Sequence, residues 1–215
     1  PSELQQLNRS GTHRPGDWLA RALALSDRLH RLTNGAFDPT VQPLWRALAE
    51  GGDIARAQDL VGWERITLGP TVRLAQGQAL TLNGMAQGFA ADLVRDWLAS
   101  RGFTRALIDM GETAALGGPY RLGLGDIGDA TLSDTALAFS QPGALMVGGR
   151  PHILHPRGQA ALWSSVAVEA GSAALADGLS TALVFLSRDH ATALKAAEPD
   201  LRRIWLTDAS GTISL

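Results

Sequence analysis

The chain has 215 residues, 45% hydrophobic and 19% charged, with a net charge of -2. That composition gives a folded protein with a sizeable core and excludes a disordered chain. The near-neutral balance excludes a nucleic-acid surface driven by bulk charge, and the absence of cysteine excludes disulfides, thiolate metal sites and cysteine nucleophiles.

No apolar run is long enough to span a bilayer. The chain opens on Pro1 rather than Met, so the expectation is that upstream sequence, an export signal included, has been removed. Residues 1–16 read as a short helix at most, then loop, broken by Gly11, Pro15 and Gly16. Asp17 is a good N-cap for a helix over Trp18 to Thr33, with Trp18, Ala22, Leu25, Leu29 and Leu32 on one face. Asn34-Gly35 closes it, and Asp38-Pro39-Thr40 signals a turn. Short helices are predicted over Val41–Glu50 and Ile54–Val61. Strands are predicted at Ile66–Leu68, Val72–Leu74 and Ala79–Leu82, the last two joined by a hairpin at Gln76-Gly77.

An Asn83-Gly84 turn then opens a helix whose apolar stripe is Phe89, Leu93, Val94, Trp97 and Leu98. Gly102 stops that helix, and an extended run follows from Arg105 to Met110. Further strands are predicted at Tyr120–Leu124, Ala136–Ser140, Leu145–Val147 and Ala167–Glu169. Apolar helix Ala173–Leu186 and helix Ala191–Ala197 precede a closing hairpin of Arg203–Leu206 and Thr212–Leu215 around Ser210-Gly211. Hairpins mixed with helices give the α+β class rather than a doubly wound parallel sheet.

Three stretches could carry chemistry. The glycine-rich turn at Asn83-Gly84 and the helix start after it, with Gln87, suit a phosphate or pyrophosphate, because unpaired N–H groups and the positive end of a helix dipole meet there. The same glycines also fit an ordinary β-turn-α connection. Asp177 and Thr181 lie one turn apart on one helix face and offer hard oxygens to a magnesium ion. An N-terminal Asp making local hydrogen bonds has the same spacing, but a buried carboxylate in so apolar a helix needs a partner. In Pro151-His152-Ile153-Leu154-His155-Pro156-Arg157-Gly158 the two histidines point to opposite faces and are poor co-ligands. His152 suits a general base, and Arg157 a phosphate fork. An exposed turn is the equal alternative.

In this order these stretches resemble the ApbE family of FAD:protein FMN transferases. The resemblance spans almost the whole chain. Ser2-Glu3-Leu4 with Asn8 is similar to the family's Ser-Glu-(Leu/Ile)…Asn segment. Gly35-Ala36-Phe37-Asp38-Pro39-Thr40 is similar to its Gly-Ala-Phe-Asp-Pro-Thr motif. Leu82 to Asp92, His152 to Gly158 and Ala176 to Ala182 match its Gly-Ile-Ala-Lys-Gly, His-Ile-x-Asp-Pro and Ala-Asp-Ala-Leu-x-Thr-Ala motifs.

The resemblance implies a T-fold-related arrangement of mixed sheets with packed helices, one compact domain of two intimate subdomains over residues 1–215. It implies FAD as substrate, Mg²⁺ as cofactor, and transfer of FMN to a threonine hydroxyl of an acceptor flavoprotein with release of AMP. Asp177 and Thr181 are then metal ligands, assisted by backbone carbonyls of Ala86 and Ser180. His152 is the base. Asp38, Asn83, Gly84, Gln87, Asp92, Gly111, Glu112 and Arg157 line the nucleotide site.

The chain departs from the pattern at Gln87, where most members carry Lys, at Glu112, where a second Gly is usual, and at His155, which replaces an Asp. Leu82-Asn83-Gly84 through Gly88, with Gly111-Glu112, resembles the NosX-like branch, which implies a membrane-bound respiratory acceptor and a periplasmic setting; a cytoplasmic one is the alternative. The chain opens inside the Ser-Glu motif, so the family's N-terminal strands and helix are expected to be missing. Two other activities fit the same residues: an Mg²⁺-dependent FAD pyrophosphatase, and a flavin-binding carrier without catalysis.

Overall fold

The computed structural model describes residues 1–215, the side chain at position 126 excepted. The chain forms two units, one of residues 1–82 and 142–160, the other of residues 83–141 and 161–215.

The first unit opens with α1 (Glu3–Ser10), the short helix that the sequence suggested. Its start is fixed by a capping box in which Ser2 Oγ accepts from the Gln5 N–H and Gln5 Oε1 accepts from the Ser2 N–H. Gly11, at φ 69°, ends it in the left-handed conformation. Strand β1 (Thr12–His13) pairs antiparallel with β2 (Val72–Arg73).

Helix α2 (Asp17–Leu32) follows, with Gly16 rather than Asp17 at the N-cap position. Its buried stripe is Leu19, Ala22, Leu23, Ser26 and Leu29, which keeps Ala22 and Leu29 of the expected face and leaves Trp18 56% exposed. A 3₁₀ turn at Pro39–Val41 leads into α3 (Gln42–Glu50), and α4 (Ile54–Gln58) ends three residues before the predicted limit. The core gathers Leu7, Leu19, Leu23, Trp63, Val72 and Leu80.

Ala79–Leu82 is extended but is not a strand. Its ladder partner is a side chain: the Asn8 carboxamide donates to the Leu80 carbonyl and accepts from the Leu80 N–H, both at 2.8 Å. The expected hairpin with Val72–Leu74 is absent; Val72–Arg73 pairs with β1 instead. Strands β8 (Met146–Val147) and β9 (Arg150–Pro151) form a small hairpin in the same unit.

The second unit begins at the Asn83-Gly84 turn and α5 (Ala86–Ser100). Strands β3 (Ala106–Asp109) and β4 (Thr113–Leu116) follow, then the hairpin β5 (Tyr120–Gly123) and β6 (Asp129–Leu132), then β7 (Ala136–Ser140). After β10 (Ser165–Ala170) come α6 (Ala173–Leu183), α7 (Arg188–Ala197), β11 (Leu201–Asp208) and β12 (Gly211–Ser214). Six strands make one antiparallel sheet in the order β12-β11-β10-β7-β4-β3.

Successive residues of a strand face opposite sides, and the two sides are packed differently. Ile108, Ala114 and Ala136 face α5 and α6 together with Ala91 and Ala173. Ala115, Leu137, Ala167 and Trp205 face the β5–β6 hairpin through Ala130 and Leu132. Every residue of β10 is buried.

On α5 the packed positions are small, Gly88, Ala91 and Asp92, while Trp97 is 56% exposed. A methyl group on Gly88 would overlap the Ala173 carbonyl oxygen, so only glycine lets α5 approach the start of α6 this closely. The architecture is α+β, as the alternation of hairpins and helices predicts.

Candidate functional site

Two helix starts meet in the second unit, and the protein treats them differently. The start of α6 is fully supplied with acceptors. Ser172 Oγ accepts from the Leu175 N–H at 3.1 Å, and both Asp92 oxygens accept from the Ala173 and Ala174 N–H groups at 2.9 Å. Arg95 Nη2 lies 3.1 Å from the same carboxylate. Asp92, expected to line the nucleotide pocket, thus has both oxygens committed to holding α6.

The N-cap residue of α5, Met85, supplies no side-chain cap; in this first turn the Gly88 N–H is the one met from elsewhere, by Asp177. Ala86 and Gln87, its first two residues, are exposed. This end carries orphan N–H groups and positive dipole charge, the conditions for receiving an anion.

Asp177 and Thr181 are both directed at that mouth. Asp177 is 5% exposed, and its Oδ2 accepts from the Gly88 N–H at 3.0 Å. Among the described residues this is the carboxylate's only protein hydrogen bond, which leaves Oδ1 for another partner. Thr181 Oγ1 donates to the Gly84 carbonyl at 3.3 Å. The i, i+4 spacing therefore does what the sequence suggested: one helix turn brings a carboxylate and a hydroxyl to the glycine loop.

Ser180, also expected among the ligands, has a buried hydroxyl engaged with Ser140 Oγ at 2.7 Å and with the Asp177 carbonyl at 2.9 Å. Gln87 lies across Gly111, where any side chain would collide with the Gln87 carboxamide. Gly111 sits at φ 96° and donates its N–H to Asp109 Oδ1.

Beside Gly111, Glu112 is buried, and its Oε2 accepts from the Phe139 N–H at 3.0 Å. Burial, then the nearby charges of Asp177 and Asp109, push its carboxyl up to about 8, against the pull of the Phe139 N–H. Burial raises Asp177 to about 6, opposed by the Gly88 N–H. At neutral pH Glu112 is mostly protonated and Asp177 mostly ionised, so the two acids are held in different states by their surroundings.

A divalent cation fits the donors present here. They are hard oxygens from a carboxylate, a hydroxyl and a carbonyl, which suit magnesium and not a soft metal. Among the described residues no three His, Cys, Asp or Glu side chains gather into a metal cage.

Three expected site residues belong to the first unit. Asp38 is buried, and its Oδ1 accepts from the Thr40 N–H at 2.8 Å and the Thr40 hydroxyl at 2.6 Å. Its Oδ2 accepts from the Trp63 N–H at 3.2 Å, so the carboxylate organises its own turn. Arg157 is exposed and reaches over Gly35.

His152 is half-buried, and its Nδ1 lies 3.2 Å from the Leu145 carbonyl. A carbonyl can only accept, so Nδ1 carries the proton and Nε2 keeps a bare lone pair. His155 has the opposite arrangement. Its Nδ1 accepts from the Arg157 N–H at 3.0 Å, and burial and then Arg157 lower its pKa. The two histidines are held differently: the His155 Nδ1 accepts from its own turn, and the His152 Nδ1 donates to a backbone carbonyl.

Sequence reasoning missed Ser140 and the packing role of Gly88. Ser140 looked like the polar end of a strand. Gly88 was visible only as part of a motif, and its necessity arises from a helix crossing that no local pattern encodes.

The scaffold and site define an α+β protein with an oxygen-rich mouth at the start of α5, where Asp177 and Thr181 meet the glycine turn. The ApbE family model matches residues 1–205. A protein of Vibrio cholerae serotype O1 named FAD:protein FMN transferase is 25% identical, over 91% of this chain and 70% of its own. The ApbE protein of Thermotoga maritima superposes with a TM-score of 0.86 at 22% identity, covering 100% of this chain and 81% of that one. The apo flavinyl transferase ApbE of Pseudomonas stutzeri gives 0.82 at 23%, covering 100% and 77%. The chain belongs to the ApbE family.

Proposed function

We propose that this chain is a flavin transferase that moves FMN from FAD onto a threonine hydroxyl of an acceptor flavoprotein and releases AMP. The observation that carries this reading is the aim of Asp177 and Thr181 at the start of α5, through Gly88 and Gly84. The family membership supports it, as does the name of the Vibrio relative.

In this reading the threonine oxygen attacks the phosphorus on the flavin side of the pyrophosphate. The bond from that phosphorus to the bridging oxygen breaks, and AMP carries the electron pair away. The threonine proton passes to His152 Nε2, whose lone pair is left bare by the Nδ1 bond to Leu145. The N–H groups of the first turn of α5 orient the pyrophosphate and oppose its charge.

Asp177 Oδ1, the Thr181 hydroxyl and nearby backbone carbonyls, among them Gly84 and Ala86, would hold Mg²⁺. Bound there, it would neutralise pyrophosphate charge and make the phosphorus more electrophilic. Gln87 presents a neutral amide where most of the family places a cation, so more of the charge compensation falls on the helix start and Asp177's partner. The acceptor in this reading is a membrane-bound flavoprotein outside the cytoplasm, the setting of the NosX-like branch.

The test is incubation with FAD, MgCl₂ and a threonine-bearing acceptor domain. Covalent flavin fluorescence on the acceptor, with one AMP per flavin, is the expected result. Free FMN and AMP without acceptor would replace the transferase with a pyrophosphatase. FAD binding with no turnover would leave a carrier.

A further inference from the structure

Behind Asp177 lies a pair of hydroxyls that the proposed reaction does not use. Ser180 is 0% exposed and Ser140, on the neighbouring strand β7, is 6% exposed. Their oxygens are 2.7 Å apart, and Ser180 Oγ also lies 2.9 Å from the Asp177 carbonyl. The proton directions follow from counting. A carbonyl cannot donate, so the single Ser180 proton goes to Asp177. Ser140 must then donate to Ser180.

The surroundings make this pair costly without a purpose. The rest of α6 is apolar or small apart from Asp177 and Thr181, and two alanines would pack the same space with no polar group to desolvate. The strand that supplies Ser140 is tied one residue earlier to the other side of the site, through the Phe139 N–H to Glu112 Oε2 at 3.0 Å. A connected path therefore runs from the Gly111-Glu112 turn through the end of β7 into the helix turn that bears Asp177 and Thr181.

We propose that Ser140 and Ser180 are a positioning pair: β7 pins the Asp177 carbonyl through two hydroxyls and so fixes the turn of α6 that directs Asp177 and Thr181 at the glycine mouth. The inference rests on the magnesium reading of that site. It gives the Ser180 hydroxyl a supporting role and leaves the residue's backbone carbonyl, the ligand atom the resemblance implies, untouched. Outer partners of this kind fix the orientation of the groups that bind the metal, and their loss typically costs metal affinity about tenfold or more.

The experiment is titration of MgCl₂ into the full chain by calorimetry, for wild type, Ser140→Ala, Ser180→Ala, the double variant and Ser140→Thr. Each alanine variant is expected to weaken Mg²⁺ binding by about tenfold, with the double variant no worse than the poorer single one, because both lie on one path. Ser140→Thr keeps the hydroxyl and should restore affinity. Amide exchange over residues 177–181 should quicken in both alanine variants while the rest of α6 stays protected. Wild-type Mg²⁺ affinity in Ser180→Ala, or losses that add in the double variant, would overturn the pair's positioning role. A wild-type chain that takes up no Mg²⁺ would instead overturn the magnesium reading beneath it.

Discussion

Replacing Asp177 by Asn separates the fold's interest from the site's. The carboxamide oxygen can still accept from the Gly88 N–H, so the geometry of the mouth is retained. What is lost is a buried negative charge. A carboxyl raised from 3.8 to about 6 is protonated in the folded chain over a range where the unfolded chain has already ionised.

Below pH 4 that difference vanishes, and stability is lost as pH rises toward 6. At pH 7 the ionised group opposes folding by about 3 kcal/mol, at about 1.4 kcal/mol per tenfold change in proton affinity. Without metal, Asp177→Asn should therefore be more stable than wild type by up to about 3 kcal/mol, a rise in Tm of roughly 6–12 °C for a chain of this size.

Magnesium should reverse the order. A ligand at a hundred times its Kd stabilises by about 2.7 kcal/mol, and only the wild type keeps the charge that holds it. Urea unfolding at pH 7, with and without MgCl₂, reads both effects. An Asn variant that is less stable than wild type in the absence of metal, or that gains as much from Mg²⁺, would refute the assignment of a desolvated, metal-seeking carboxylate.

Three other outcomes are expected. Glu112→Gln keeps the Phe139 bond and should flatten the fall in metal-free stability that Glu112 produces between about pH 4.5 and 8; an unchanged pH profile by urea titration contradicts that origin. Gly88→Ala drives a methyl into the Ala173 carbonyl and should cost about 3 kcal/mol of stability, measurable as a lower urea midpoint. His152→Ala should lower the rate of flavin transfer far more than FAD affinity, and an equal loss in both would make the histidine a binding residue.

The placement of Asp177 and Thr181 toward the glycine loop was legible because helix periodicity alone puts positions four apart on one face. Helical spacing puts Trp18 and Trp97 on apolar stripes, yet both are 56% exposed. Helix α2 buries Leu19, Leu23 and Ser26 beside the expected Ala22 and Leu29, and α5 buries Gly88 and Ala91. On α5 packing distance, not hydrophobicity, chose the face.

Ala79–Leu82 has the alternation of a strand, but its partner is an amide from α1, seventy-two residues away. Strands β4 and β6 were passed over because glycines surround them, and sheet neighbours supplied the order that their own residues do not. The resemblance puts Asp92 at the nucleotide site; its two oxygens are matched to backbone donors 81 and 82 residues further along the chain, which no local pattern signals.

The half-closed beginning of α5 has a thermodynamic corollary. Asp177 closes the first turn at Gly88 alone, so in the proposed reaction an anion docking at Ala86 and Gln87 completes the closure. Part of the ligand's intrinsic attraction is then drawn off into tightening that first coil, so tightness of binding and local rigidity must rise together. Any substitution that installs a built-in acceptor at Met85 would firm the coil beforehand and set the protein competing with its own substrate.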